Sequence, residues 1–385
     1  MGRFDQVDID FLRKRAALKW GKWGDDFLSL SVADLDFPIL PEIKEGVIKA
    51  LSEERTPYGW YGGDPDVLEV VCDKLNKKNK MPAVPADVHM VPGTMFAIFG
   101  VCYYALEPGD EAIICPAPIY PPFHQNVVNA KGTPVFSPMV FSGGPRIDLE
   151  ALRSAVSPRT KMLMVCNPHN PCGAVLTRDE LEGVAAIARE FDLLIFSDEL
   201  YEDMVLEGSH VSLASLAPDL MERTITACGF SKAFGMAGFR VAYVVNRGRH
   251  MKALKKIFHD IIVHTDVLAQ AAAKAALLHG DAWLEELKGH LRLTRDYSLE
   301  RLNALSGIWT PRPQATPFLF PNVSSYGLTS QEMEDYLKNK AKVIVENGRA
   351  FGPPGEGHIR INAGTSIPVL EQAFDRIANA LKLIK

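Results

Sequence analysis

A chain of 385 residues with a formal net charge of -5 is longer than one compact domain usually runs, and it predicts a large core with a smaller unit packed on it. At 47% hydrophobic and 23% charged residues, the composition excludes a disordered chain. The mildly acidic balance offers no broad cationic surface, which argues against nucleic acid or an anionic membrane as the main partner.

The opening residues, Met1-Gly2-Arg3-Phe4-Asp5-Gln6, lack the apolar stretch of a secretory signal, and no apolar run reaches membrane-spanning length. The six cysteines, Cys72, Cys102, Cys115, Cys166, Cys172 and Cys228, mostly lie in apolar segments, where reduced thiols behave as small hydrophobes. They show neither Cys-x-x-Cys nor zinc spacing, so no metal is expected. A cytoplasmic location fits this usage.

In chain order, Ser29-Leu30-Ser31-Val32-Ala33 runs into the turn-prone Asp34-Leu35-Asp36-Phe37-Pro38. Pro38 and Pro41 bar a helix there, and apolar spacings of three and four predict one over 42–51. Thr56-Pro57-Tyr58-Gly59-Trp60-Tyr61-Gly62-Gly63 is an aromatic loop that either packs on its own domain or contacts something else. From Val91 onward, apolar runs at 111–115, 161–166, 193–197, 224–228 and 239–245 alternate with helical stretches such as 178–190. That alternation predicts an α/β fold with a mostly parallel sheet sandwiched by helices. Ligands in such sheets sit beyond the carboxyl ends of the strands.

A long helical region, 249–304, interrupted near Gly280, leaves the sheet. Phe318-Leu319-Phe320, a helix over 330–340, a strand at 343–345, a Gly/Pro loop at 348–357, a strand at 358–362 and a terminal helix follow. These predict a smaller α+β unit that the N-terminal segment joins, with 45–280 as the large domain and 1–44 plus 281–385 as the small one.

The strand ends hold the chemistry. Gly93-Thr94 leads into an apolar helix over 95–106; it is either a plain turn or a phosphate seat made of free backbone N–H groups. Asn167-Pro168-His169-Asn170-Pro171-Cys172-Gly173 is either a rigid connector or a loop that aims an amide back over the sheet. Asp198-Glu199-Leu200-Tyr201 puts a carboxylate and a phenol at the ligand edge. In Thr226-Ala227-Cys228-Gly229-Phe230-Ser231-Lys232 the lysine stands at a strand-to-loop edge, and Arg240 follows eight residues later. The Ser-Lys pair reads as a surface turn, or as an amine able to act as a base or to form a Schiff base.

Asn170, Asp198, Tyr201, Lys232, Arg240 and Arg360, in that order and spacing, resemble the pyridoxal-phosphate enzymes of fold type I, in the class I/II aminotransferase family. The resemblance runs from Ala33 to Arg360. It implies that Lys232 forms an internal aldimine with pyridoxal 5'-phosphate and later moves the substrate Cα proton. It makes Asp198 the partner that keeps the pyridinium nitrogen protonated, so that the ring accepts electrons. Asn170 and Tyr201 would hydrogen-bond the phenolic oxygen, and Tyr120 would stack on the ring. Arg240 and the N–H groups of Thr94 and Met95 would hold the phosphate, with Ser231 assisting. Tyr58 resembles the residue that reaches the phosphate from a neighbouring subunit, which implies a homodimer with shared active sites. Arg360 resembles the bidentate clamp on the substrate α-carboxylate, with the backbone around Ala33 closing the other side.

Two positions depart from the family's usual pattern. Gly229 stands where a hydroxyl residue is frequent, which puts one phosphate hydrogen bond in doubt, and Cys172 stands where threonine is frequent. Lys19-Trp20, Val32-Ala33-Asp34-Leu35-Asp36-Phe37 and Asn167-Pro168-His169-Asn170 resemble the cystathionine β-lyase-like carbon-sulfur lyases. Those lyases usually carry histidine at the position of Tyr201, whereas Asp198-Glu199-Leu200-Tyr201 and Gly229-Phe230-Ser231-Lys232 look like aminotransferases. The implied activity is transfer of an amino group from an L-amino acid to a 2-oxo acid; the alternative is a β-lyase releasing pyruvate and ammonia. Arg292 and Arg295 are either solvated helix charges or partners of a dicarboxylic substrate.

Overall fold

The computed structural model describes residues 3–15 and 18–384. In chain order the strands are β1 (Leu28–Ser29), β2 (Val88–Val91), β3 (Glu111–Ala117), β4 (Thr133–Val140), β5 (Arg146–Ile147), β6 (Thr160–Cys166), β7 (Leu194–Asp198), β8 (Thr224–Gly229), β9 (Ala242–Val245), β10 (Phe318–Leu319), β11 (Val343–Ile344), β12 (Glu346–Asn347) and β13 (Ile359–Asn362). Eight of them form one sheet in the order β2-β9-β8-β7-β6-β3-β4-β5.

The five strands β8, β7, β6, β3 and β4 run parallel. Their residues alternate between two cores, as a strand's period of two requires. Ala112, Ile114, Met162 and Met164 join Ile98, Val101 and Phe258 on one face. Ile113, Cys115, Leu163 and Val165 join Leu181, Val184 and Ala188 on the other. Both faces are therefore covered, and β3 is buried along its whole length.

The sheet is mixed, because β9 runs antiparallel to both β2 and β8, and β5 runs antiparallel to β4. The expected strand at 239–245 shortens to Ala242–Val245 and turns back. A parallel partner for β8 usually needs a crossover helix, and the segment 230–241 between the two strands forms turns and no α-helix, with Ala237–Phe239 in a 3-10 turn and Arg240 left-handed at φ 51°. Strand β4 gave no apolar run to find: it mixes exposed and half-buried residues, includes Pro134 and Pro138, and lies near the sheet's edge.

Pro41 begins the helix Pro41–Ser52 instead of barring it; at a first helical position the missing N–H has no bond to lose. The helix Arg178–Glu190 occupies its expected residues and is capped reciprocally by Thr177 and Glu180. The region 249–304 divides into Arg249–Ile261, Val267–His279 and Asp281–Asn303. Its additional break is marked by Asp266, whose carboxylate caps the second helix through the Ala269 N–H. The helix expected over 330–340 is α-helical for Ser330–Tyr336 and then widens into a π turn, Leu337–Ala341, which ends at the left-handed Lys342.

A three-stranded antiparallel sheet, β10-β13-β12, and a parallel pair, β1 with β11, lie apart from the large sheet. Leu28 and Leu30 pack with Val343, Ile359, Ile361, Leu370 and Phe374 in their core. Helix Asp281–Asn303 serves both units: Trp283, Leu287 and Leu291 pack with Phe4, Phe37 and Phe234, while Leu299 and Leu302 enter the smaller core. The six cysteines are free and buried. Among the described residues no helix is long and apolar enough to cross a membrane.

Candidate active site

The carboxyl ends of three neighbouring strands come level. Cys166 pairs with Asp198, and Asp198 with Ala227. The Asn167 N–H donates to the Asp198 carbonyl at 2.9 Å and the Glu199 N–H to the Ala227 carbonyl at 2.8 Å, so the ladder continues one residue past the strands.

The Asp198 side chain is buried and accepts the Leu200 N–H at 3.0 Å. Burial pushes its carboxyl up to about 7; the Glu199 charge adds to the rise, and the Leu200 N–H and Lys232 oppose it. Behind it, Glu199 accepts the hydroxyls of Ser197 and Ser212 at 2.9 and 3.0 Å, and its second oxygen lies 2.9 Å from His210 Nε2. Burial lowers the His210 pKa, but the Glu199 carboxylate more than offsets this and leaves it raised. Glu199, Glu202 and His210 bring potential metal-ligating atoms within 4.8 Å of one another. Lys74 already neutralises that group through its ion pair with Glu202.

Lys232 follows the end of β8 by three residues. Burial pulls its ammonium pKa below the usual lysine range; Arg360 and Arg240 act in the same direction, while Asp34 and Asp198 oppose them. An amine in this state releases its proton more readily than an exposed lysine.

At the end of β2, Gly93 turns at φ 107° into the helix Thr94–Ala105, which has no side-chain cap. The first N–H groups of that helix are thus left for an anion. Arg240 Nη2 donates to the Pro92 carbonyl at 3.2 Å and Nη1 to the Ala237 carbonyl at 3.1 Å. A Cβ at position 93 would stand 2.6 Å from Arg240 Nη2 and would push it aside, and φ 107° is itself a conformation that favours glycine. At Gly229 a Cβ would meet the Ala242 Cβ at 3.0 Å and Leu200 Cδ1 at 3.1 Å. A larger residue at position 229 would therefore press on β9 and on Leu200.

On the opposite side, Arg360 of β13 is buried between the rings of Phe318 and Phe351, at 4.3 and 4.8 Å from their centroids. Its Nη1 donates to Asn170 Oδ1 at 3.0 Å. The Asn170 loop is held by the His169 N–H on the Ala174 carbonyl and the Gly173 N–H on the His169 carbonyl, both at 2.8 Å. It is a rigid connector that also aims an amide.

Ala33, Thr94, Met95, Tyr120, Asn170, Asp198, Tyr201, Ser231, Lys232 and Arg240 line a single cavity, together with Cys166 and Leu200. Arg360 joins it through Asn170. Tyr58 lies elsewhere: it is 92% exposed and meets His264 edge-on at 5.4 Å. Arg292 donates to the Leu206 carbonyl, and Arg295 is tied to Pro313, Glu207 and Asp296; neither lines the cavity. Sequence reasoning missed Glu199 with His210, and also Glu346, which the β12–β13 pairing sets directly opposite Arg360.

The donors suit pyridoxal phosphate. Tyr201 Oη is buried without a hydrogen-bond partner among the described residues, and burial raises its pKa well above the usual phenol range. A phenolate-like oxygen on a ring would give it one. Asp198, buried and raised, would meet a protonated ring nitrogen, and the helix end with Arg240 would meet a phosphate.

A lysine, an acid and an anion seat at the carboxyl edge of this sheet define a pyridoxal-phosphate enzyme of fold type I. The chain belongs to the family described as aminotransferase class I and II, whose sequence model matches residues 25–377. It is 34% identical over 385 residues to the aspartate aminotransferase of Pyrococcus abyssi, covering 99% of this chain and 97% of that one. It is also 34% identical to aromatic-amino-acid aminotransferase 2 of Thermococcus litoralis, with the same coverage. Cystathionine beta-lyase PatB of Bacillus subtilis is 29% identical over 95% of this chain and 96% of its own. Among solved structures, the aromatic aminotransferase of Pyrococcus horikoshii OT3 superposes with a TM-score of 0.88 at 33% identity, covering 93% of this chain and 96% of that one. A PLP-bound putative aminotransferase from Clostridium difficile 630 gives 0.92 at 28% identity, covering 99% and 100%. The protein is therefore a PLP-dependent enzyme of the aminotransferase family.

Proposed function

We propose that this enzyme transfers the amino group of an L-amino acid to a 2-oxo acid, with Lys232 as both the covalent anchor of the cofactor and the group that moves the Cα proton. The bound cofactor supplies an aldehyde and an electron-withdrawing ring. The observation carrying the reading is the single cavity in which Lys232, Asp198 and Tyr201 stand together, with Asn170 bonded to Arg360.

In this reading Asp198 keeps the ring nitrogen protonated, and Asn170 and Tyr201 orient the ring through its phenolic oxygen. Tyr120 covers the ring face. Thr94, Met95, Ser231 and Arg240 hold the phosphate, and Arg360 with the backbone at Ala33 receives the substrate carboxylate. Burial of Lys232 favours the neutral amine needed to take a proton.

Tyr58, Trp60 and Tyr61 are exposed on one loop, which supports a homodimer in which Tyr58 completes the partner's phosphate site. Residues 45–280 would form the large, cofactor-holding domain and 1–44 with 281–385 the small one, in a cytoplasmic protein.

Tyr201 favours transamination, since the resembling lyases usually carry histidine there, and the two 34% identical relatives are aminotransferases. The lyase alternative draws on the similarity to PatB. Purified enzyme is given L-cystathionine alone and, separately, an amino acid with 2-oxoglutarate. Transamination predicts the pyridoxamine absorbance and acceptor-dependent turnover. Rapid release of pyruvate and ammonia without an acceptor would overturn it.

A further inference from the structure

Arg360 already holds a carboxylate. Its Nη2 lies 2.9 Å from Glu346 Oε2, and Glu346 stands opposite it in the antiparallel pair β12–β13. The other oxygen, Oε1, accepts the Val32 N–H at 2.6 Å. Val32 is a β-branched residue at φ 56°, a conformation that persists only where its surroundings enforce it. Asn362 Nδ2 holds the same segment by donating to the Val32 and Asp34 carbonyls at 2.8 and 2.9 Å.

The two partners differ in freedom. Arg360 is 3% exposed and clasped by two rings, whereas the Glu346 side chain is 32% exposed. Glu346 also borders an open cavity lined by Lys22 and Lys338 and by the acids Glu334 and Asp335, so it has space to turn into, with charges of both signs nearby. Arg360 has no such choice.

Resting on the reading of Arg360 as the substrate's carboxylate clamp, we propose that Glu346 is a positioning residue that occupies the clamp before substrate arrives and competes with the substrate carboxylate for it. It keeps the buried guanidinium paired in the free enzyme, where an unpaired buried charge would be costly. The incoming carboxylate takes its place, and Glu346 turns outward. Substrates are thereby selected for a carboxylate able to make more contacts with Arg360 than the one that Glu346 makes.

The test uses cofactor-loaded enzyme, an amino acid that it turns over, and propionate as a competitive inhibitor with a carboxylate but no amine. Glu346→Gln removes the charge and keeps an acceptor for the Val32 N–H; Glu346→Ala removes both. Both variants should lower the KM for the amino acid and the inhibition constant for propionate by about three- to fivefold, the scale of a partly exposed ion pair. KM should change by a larger factor than kcat. An unchanged or raised KM in Glu346→Gln overturns the proposal, and so does an effect seen in Glu346→Ala alone, which would reduce Glu346 to a structural tie for Val32. Arg360→Lys tests the underlying reading separately: it should raise KM about tenfold or more, and if it does not, the clamp itself is misassigned whatever Glu346 does.

Discussion

The two walls of the cavity satisfy their polar groups to different extents. The rim of the large sheet holds groups whose needs the protein leaves open: a buried carboxyl raised to about 7 at Asp198, a tyrosine hydroxyl without a partner among the described residues at Tyr201, and a helix start at Thr94 with no side-chain cap. The small sheet holds Arg360, whose buried guanidinium is already paired through Nη1 with Asn170 and through Nη2 with Glu346, leaving only Nε without a partner among the described residues. A resident cofactor stays bound through every cycle and can complete an unfinished site; a substrate comes and goes, so the wall that meets it must be stable without it.

Changing the groups of the large sheet should break this contrast most sharply. In the proposed function Lys232→Ala removes both the covalent anchor and the proton carrier, and turnover should fall by roughly 10⁴-fold or more, with loss of the visible absorbance of lysine-bound cofactor. Retained absorbance would mean that another lysine holds the cofactor.

The open state of Asp198 should also appear in stability. Its carboxyl, ordinarily near 3.8, lies at about 7 in the folded chain. The folded state therefore binds this proton more tightly than the unfolded one. The resulting stabilisation is complete below pH 3.8 and is lost as pH rises through about 7. Relative to Asp198→Asn, cofactor-free protein should lose roughly 4 kcal/mol between pH 4 and pH 8, at 1.36 kcal/mol per pH unit. Urea unfolding of the two proteins across that range measures the difference, and a flat difference would mean that burial does not tax the charge. In turnover, Asp198→Ala should keep the lysine-bound absorbance and lose roughly 10²–10³-fold in kcat, the usual scale for one electrostatic partner.

Gly93→Ala sharpens the comparison at the proposed phosphate seat. The positive φ and the 2.6 Å approach to Arg240 should together cost about 1–2 kcal/mol of folding stability, which urea unfolding of cofactor-free protein measures. The three- to fivefold effect at Glu346 is the smallest, as befits a partly exposed pair.

Much of the cofactor wall was legible in the chain. Apolar runs ending in Asp198, in the Asn-Pro loop and just before Ser231-Lys232 are local signals, and parallel strands bring their carboxyl ends level as a matter of topology. The helix Arg178–Glu190 was equally plain, because its cap and its apolar spacing lie within one short stretch. The sequence alone thus determined an α/β sheet and which residues stand at its ligand edge.

Only the tertiary structure decided the direction of β9, the close packing around Gly229, the lack of a partner for Tyr201 among the described residues and the pairing of Glu346 with Arg360. Each depends on what a distant segment places beside the residue: Ala242 against Gly229, the rings of Phe318 and Phe351 around Arg360, Val32 on Glu346. Periodicity records which face of an element is buried, whereas the neighbour across the gap is chosen by packing and by register between segments far apart in the chain.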